Sequence, residues 1–255
     1  MPDALGAALA VPGLIWLAVA FLAGGLVRGF TGFGTALIVM PLATRALPAS
    51  EAVVIVTLAG MLTWGAIVPR AFALADRAQV GLLAMGALLA APLGVALLAV
   101  LDPVPLRWTV AIAASVTLAA LVSGWRYGGR VGPLGLGGIG AASGALGGLT
   151  GLTGPPVVLF YLAGTGQAVQ VRANTILFLA VLDIGILANL LLRDMVTGRA
   201  LALAAMMALP YLAALLIGQR LFHPGNERFY RAAAYAIIAA AILSGLPLFD
   251  GQEGA

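Results

Sequence analysis

Long apolar stretches, separated by short polar punctuation, run through this chain from end to end. In the first half they lie at about Leu14 to Val27, Ala36 to Thr44, Ala52 to Val68, Val80 to Leu101 and Trp108 to Gly124. After Arg126 to Pro133 the series resumes, at about Leu134 to Leu149, Val157 to Ala163, Asn174 to Leu192, Ala200 to Leu221 and Phe229 to Leu246. About 20 mainly apolar residues cross a ~30 Å hydrocarbon core as a helix. The pattern therefore predicts an all-α polytopic membrane protein.

The second series echoes the first. Gly29-Phe30-Thr31-Gly32-Phe33-Gly34 stands against Gly148-Leu149-Thr150-Gly151-Leu152-Thr153, with Thr150 following Thr31 by 119 positions. Ala52 and Ala173, Pro92 and Pro210, and Arg107 and Arg228 keep shifts of 121, 118 and 121. Two copies of one unit, residues 1–130 and 131–255, account for this and together form one transmembrane domain.

The opening part of each copy is too long for one helix and is interrupted by glycine and threonine. If each is a single crossing, the arginines divide evenly between the two faces, against the positive-inside bias. If each is a broken hairpin, Arg70, Arg77, Arg126, Arg130, Arg172, Arg220, Arg228 and Arg231 share one face, and Arg45, Arg107, Arg193 and Arg199 the other. The eight-to-four split predicts a cytoplasmic majority, both termini in the periplasm and three transmembrane helices after each hairpin. That makes the halves inverted repeats in a bacterial inner membrane.

Composition narrows the function classes. Of 255 residues 62% are hydrophobic and 9% charged, which leaves no room for a soluble domain. The net charge of +4 comes from arginines scattered singly through short loops, without the basic stripe that nucleic acid requires. The chain has no cysteine and one histidine, His223, in a His-Pro-Gly-Asn turn, so thiolate and clustered metal sites are excluded and no cofactor is expected. Neither His-Glu-x-x-His nor Gly-x-Ser-x-Gly spacing occurs, and the chain is not read as an enzyme.

The interrupted segments carry the candidate chemistry. Backbone that leaves a helix inside a bilayer survives only where protein or a water-filled cavity satisfies it. Gly32 and Gly34 in the first copy, and Gly151 and Gly154 before Pro155 in the second, supply unhindered backbone, while Thr31, Thr150 and Thr153 supply hydroxyls. A half-helix N-terminus is an anion site without a charged side chain, and inverted breaks aim two of them at the midplane. Close helix packing is the other reading of these glycines, above all Gly140, Gly144 and Gly148.

At these residues the chain resembles the sulfite exporter TauE/SafE family of membrane transporters, also called the 4-toluene sulfonate uptake permease family. The resemblance rests on Gly29 to Pro41 and Gly147 to Pro156 and extends over nearly the whole chain. It implies a secondary transporter of sulfite, sulfoacetate or related sulfonates across the inner membrane.

Arg28, beside the first break, offers a bidentate fork to a sulfur oxyanion, with a snorkelling or structural role as the alternative. Asp183, midway along its stretch, is read as a proton-coupling group, a charge partner of Arg28 or a structural residue. Asn174 either caps its helix or donates to the ligand. The expected partners are a small anion, lipid and protons as coupling ion, with a homodimer one arrangement left open. An anion channel and a transporter of non-sulfur carboxylates are the competing functions.

Overall fold

The computed structural model describes residues 2–124, 131–164, 167–221 and 227–249. His223 and its turn, Trp125, Arg126 and Arg130 lie outside them. The described residues form twelve α-helices and a closing 3-10 turn, without a strand. They are α1 Pro2–Leu9, α2 Leu14–Thr31, α3 Thr35–Ala46, α4 Ala49–Met61, α5 Trp64–Leu74 and α6 Arg77–Val100. They continue as α7 Pro103–Ser123, α8 Pro133–Thr150, α9 Pro155–Ala163, α10 Ala168–Leu192, α11 Gly198–Leu221 and α12 Glu227–Gly245. Five of these, from α2, α6, α7, α10 and α11, are long and apolar enough to cross a membrane.

Helix ends follow the local sequence. The Asp76 side chain caps α6 by accepting from the amides of Ala78 and Gln79, and Thr197 caps α11 by accepting from Ala200 N–H. Pro103, Pro133 and Pro155 open α7, α8 and α9, where a missing N–H costs nothing. The run read from sequence as one stretch, Ala52 to Val68, is divided into α4 and α5. Thr63 turns its hydroxyl onto the Gly60 carbonyl there, 2.9 Å away. The equivalent stretch in the second half stays unbroken as α10, which begins at Ala168 rather than near Asn174.

The opening part of each half is a hairpin. Gly34 lies against Val27, and Thr35 and Val39 against Gly24, so α3 returns along α2; Thr153 lies against Gly147 where α8 turns into α9. The next layer is exchanged between the halves. Gly25 and Gly29 of α2 sit on the backbone of Tyr211 and Leu215 in α11. Gly140, Gly144 and Gly148 of α8 sit on the carbonyls of Leu83, Ala87 and Ala91 in α6. A Cβ at any of these five positions would meet backbone rather than a yielding side chain, so each pair approaches as closely as small-residue seams permit.

Contact order also gives helix directions. In both seams the paired residue numbers rise together, so α2 runs parallel to α11, and α6 to α8. Glu51 reaches Thr197 and Arg199 while Leu58 and Leu62 face Ala204 and Ala208, so α4 runs with α11. Asp183 reaches Gly60 and Asn174 reaches Asp76, so α10 runs against α4 and α5. Tyr235 bonds the Leu121 carbonyl and Arg107 that of Gly245, so α12 runs against α7. α10 thus opposes α4 and α5, the segment it matches in sequence, and α12 opposes α7. These directions gather Arg45, Arg107, Arg193 and Arg199 at one end of the bundle, and Arg70, Arg77, Arg172, Arg220 and Arg231 at the other.

At the first end, buried Glu51 accepts from Arg199 Nε at 3.0 Å and from the Thr197 hydroxyl at 3.0 Å. Glu51→Ala is expected to lower stability by about 1–3 kcal/mol, less than a fully buried pair because Arg199 is partly solvated. Glu51→Gln keeps an acceptor for Thr197 and should cost less. Thermal unfolding in detergent compares the two, and equal losses would show that the charge contributes nothing.

Candidate functional site

The two hairpin turns meet at one cavity. Its wall includes Gly34, Thr35 and Leu37 from the first turn and Gly151, Thr153, Gly154 and Pro155 from the second. Arg28, Thr57, Gly60, Thr117 and Asp183 complete the polar part, and Phe33, Val56, Leu152, Val158 and Leu179 the apolar part. The cavity volume is about 60 Å³, counted as space for water centres, against the roughly 10–15 Å³ that one water needs. Arg28 follows the start of α2 by fourteen residues, roughly 21 Å of rise, and Asp183 lies fifteen residues, roughly 22 Å, into α10. Neither residue therefore stands where its helix begins, and both reach the cavity at the level where α2 turns into α3.

Glycine makes the turns. Gly32, Gly34 and Gly151 have φ of 83°, 101° and 72°, a region costly for residues with a Cβ. The threonines before them do matching work. Thr31 Oγ1 lies 2.8 Å from the Val27 carbonyl and accepts from Phe33 N–H, and Thr150 Oγ1 donates to the Leu146 carbonyl at 2.7 Å and accepts from Leu152 N–H. Both hydroxyls are committed to closing a helix end, and neither Thr31, Thr150 nor Gly32 lies on the cavity wall.

Free hydroxyls come from elsewhere. Thr57 and Thr153 face the cavity, and among the described residues neither hydroxyl has a partner. Thr35 is held by Tyr211 and the Gly24 carbonyl, and Thr117 by the Ala113 carbonyl. Thr57 and Thr117 fall in the middle of apolar stretches, where spacing alone does not separate a cavity hydroxyl from a helix-bonded one.

The half-helix ends are unequal. α3 begins with Thr35, Ala36 and Leu37, all on the cavity wall and all carrying amides. α9 begins with Pro155 and Pro156, which have no N–H, so its first turn offers the cavity far fewer donors. Positive potential in the cavity is thus concentrated on the side of α3 and Arg28.

Arg28 and Asp183 face each other across Gly60. The point that a Cβ on Gly60 would occupy lies 2.9 Å from Asp183 Oδ2 and 3.7 Å from Arg28 Nη1, so a side chain there would push the Asp183 carboxylate aside. Arg28 Nη2 also contacts the Thr63 hydroxyl at 3.5 Å, beside the break between α4 and α5. Asp183 is 7% exposed, and among the described residues its carboxylate accepts no hydrogen bond.

Asn174 lies away from the cavity. The expectation that it caps its helix fails because α10 starts six residues earlier. Its carbonyl accepts from Asp76 N–H at 2.8 Å and its amide donates to Gln79 at 3.0 Å, tying α10 to the start of α6. Among the described residues no group of acidic, histidine or cysteine side chains is arranged to hold a metal.

Two interrupted hairpins meeting at a polar cavity inside an apolar helical bundle is the arrangement of a membrane transport protein. Residues 7–245 match the family described as Sulfite exporter TauE/SafE, and the chain belongs to it. This is a family of membrane transporters for sulfite or related anions. No curated protein and no solved structure matches significantly.

Proposed function

We propose that the protein is a secondary transporter that moves small organosulfur anions, sulfite, sulfoacetate or related sulfonates, across the inner membrane by alternating access. The observation that carries this reading is the meeting of the Arg28 guanidinium and the amide end of α3 in one cavity between the two hairpin turns. Arg28 supplies a two-pronged donor and α3 supplies peptide N–H groups, while Thr57 and Thr153 supply free hydroxyls. Gly34, Gly151, Gly154 and Pro155 shape the wall and admit the ligand to the backbone. The apolar face of Leu152, Val158 and Leu179 suits a short carbon substituent. The opposed directions of matching helices support reading residues 1–130 and 131–255 as inverted repeats. The arginine-rich end then faces the cytoplasm.

Asp183 supplies the coupling. Arg28 and Asp183 together leave the empty cavity close to neutral, and an anion entering it adds a buried negative charge. A proton taken up by Asp183 with each monovalent anion restores the balance, which makes transport electroneutral.

The test is flux into proteoliposomes with sulfite, sulfoacetate, taurine, sulfate and lactate, with and without a proton gradient. Saturable, gradient-driven uptake of a sulfur oxyanion is expected, whereas non-saturating flux would establish a channel and saturable uptake of lactate alone a carboxylate transporter. Asp183→Asn should retain sulfite exchange at zero gradient and lose the acceleration by protons. An Asp183→Asn variant that still accelerates would remove the coupling role while leaving the anion site intact.

A further inference from the structure

The seams between helices do not follow the boundary between the sequence halves. α2, from the first half, is locked by glycine onto α11 from the second, and α4 joins them through Glu51, Thr197 and Arg199. α8, from the second half, is locked onto α6 from the first, and α10 joins them through Asn174, Asp76 and Gln79. The two polar ties are counterparts. Thr197 follows Asp76 by 121 positions, both being helix caps, and Arg199 follows Gln79 by 120.

Sorted by packing, α1 to α4 with α11 and α12 fall on one side and α5, α6, α8, α9 and α10 on the other, while α7 bridges the two, bonded to α12 through Arg107 and Tyr235 and packed on α9. α3 and α12 pack with the first group, and α5 and α9 with the second. Apart from the bridging α7, the chain passes between the groups twice among the described residues. One passage is the break at Leu62 and Thr63, where α4 remains on α11 while α5 lies on α10. The other is Arg193 to Thr197, where Asp194 has φ of 53°, an uncommon value for a residue other than glycine.

The cavity lies between the groups. Arg28, Gly34, Thr57 and Gly60 belong to the first, Gly151, Thr153 and Asp183 to the second, and Thr117 to the bridging α7.

We infer that the moving parts are these two mixed bodies, each built from both sequence halves, and that the passages at 62–63 and 193–197 are their hinges. Rocking of the halves themselves would require α2 to slide on α11 and α6 on α8. Both seams interlock backbone against backbone, and packed helices of this kind move as units. Separation of the mixed bodies disturbs neither seam nor either polar tie; it leaves the bridging α7 with one body, parting it from α12 or from α9, and it opens the cavity that holds Arg28 opposite Asp183. Arg28 touches Thr63, so a ligand that draws the guanidinium away acts directly on the first hinge.

The inference rests on the transport reading, and its test separates the two. The chain has no cysteine, so spin labels attach only where one is introduced. Ala78→Cys with Gln170→Cys labels α6 and α10, one body but two halves; Gln170→Cys with Gln219→Cys labels α10 and α11, one half but two bodies. All three positions are exposed at the arginine-rich end. Pulsed electron–electron distances are read in lipid nanodiscs with and without saturating sulfite.

The 170–219 distribution should be the broader without ligand and shift by more than ~2 Å with sulfite, while 78–170 stays fixed. A fixed 170–219 distance with a moving 78–170 distance would establish rocking halves and overturn the inference, as would equal widths with no shift in a protein that transports sulfite. If sulfite neither binds nor moves, the substrate reading fails, and the ligand-free widths still decide between the two kinds of body.

Discussion

Arg28→Ala should abolish sulfite uptake into proteoliposomes while the protein is still made and inserted. Among the described residues the guanidinium is the one cationic side chain on the cavity wall, and it stands beside the free amides that begin α3. Removing one partner of a buried charged contact costs about 2–5 kcal/mol, so the affinity for a sulfur oxyanion should fall by roughly 30-fold to several thousand-fold. Arg28→Lys keeps the charge without the two-pronged geometry and should retain part of the activity. The alanine variant also leaves Asp183 without its cation. Expression of Arg28→Ala/Asp183→Asn should therefore exceed that of the single variant, yet uptake should stay absent. Normal flux in Arg28→Ala would remove this residue from the site.

Gly144→Leu should prevent the bundle from forming. A Cβ at Gly144 already collides with the Ala87 carbonyl, so a leucine must force α6 from α8 along a seam where backbone meets backbone. Gly144→Ala is the graded version, with an expected loss of about 1–3 kcal/mol from overpacking. Gly138, on the same helix, has open space where its Cβ would lie, and Gly138→Ala should be neutral or slightly stabilising. Fluorescence-detected size exclusion and thermal unfolding compare the three. Equal stability of Gly144→Ala and Gly138→Ala would mean that the seam does not hold the helices together.

The membrane architecture was readable because bilayer thickness sets element length and punctuation sets element number. Interruption at Gly32–Gly34 and Gly151–Gly154 was readable because glycine pairs inside apolar stretches leave few alternatives in lipid. The fate of each hydroxyl was not. Thr31 and Thr150 look like ligands in one dimension, but each lies four residues after a helical carbonyl and two before a free amide, and it serves those groups.

The division of Ala52 to Val68 was hidden for a related reason. Thr57, Gly60 and Thr63 fit an apolar helix well enough, and only the approach of Arg28 and Asp183 to Gly60 shows why the helix gives way nearby. Neither reading of Asn174, as cap or as ligand donor, could foresee its place, because its partners, Asp76 and Gln79, lie about 95 residues earlier in the chain. The exchanged seams could not be read either: Gly25 and Gly144 mark surfaces that approach something closely, and nothing in the sequence names the helix that comes.

The seam between α2 and α11 sets the order of assembly. Gly25 meets Tyr211, a separation of 211 − 25 = 186 residues. At roughly 5–20 residues per second, α2 waits about 10–40 s on the ribosome's timescale before its partner exists. α6 and α8, by contrast, emerge within seconds of each other. The central body therefore completes first, and the N-terminal hairpin carrying Arg28 remains an unfinished edge in the bilayer until the last fifth of the chain arrives. A chain truncated before α11 should present that edge to membrane proteases even though most of its crossings are in place.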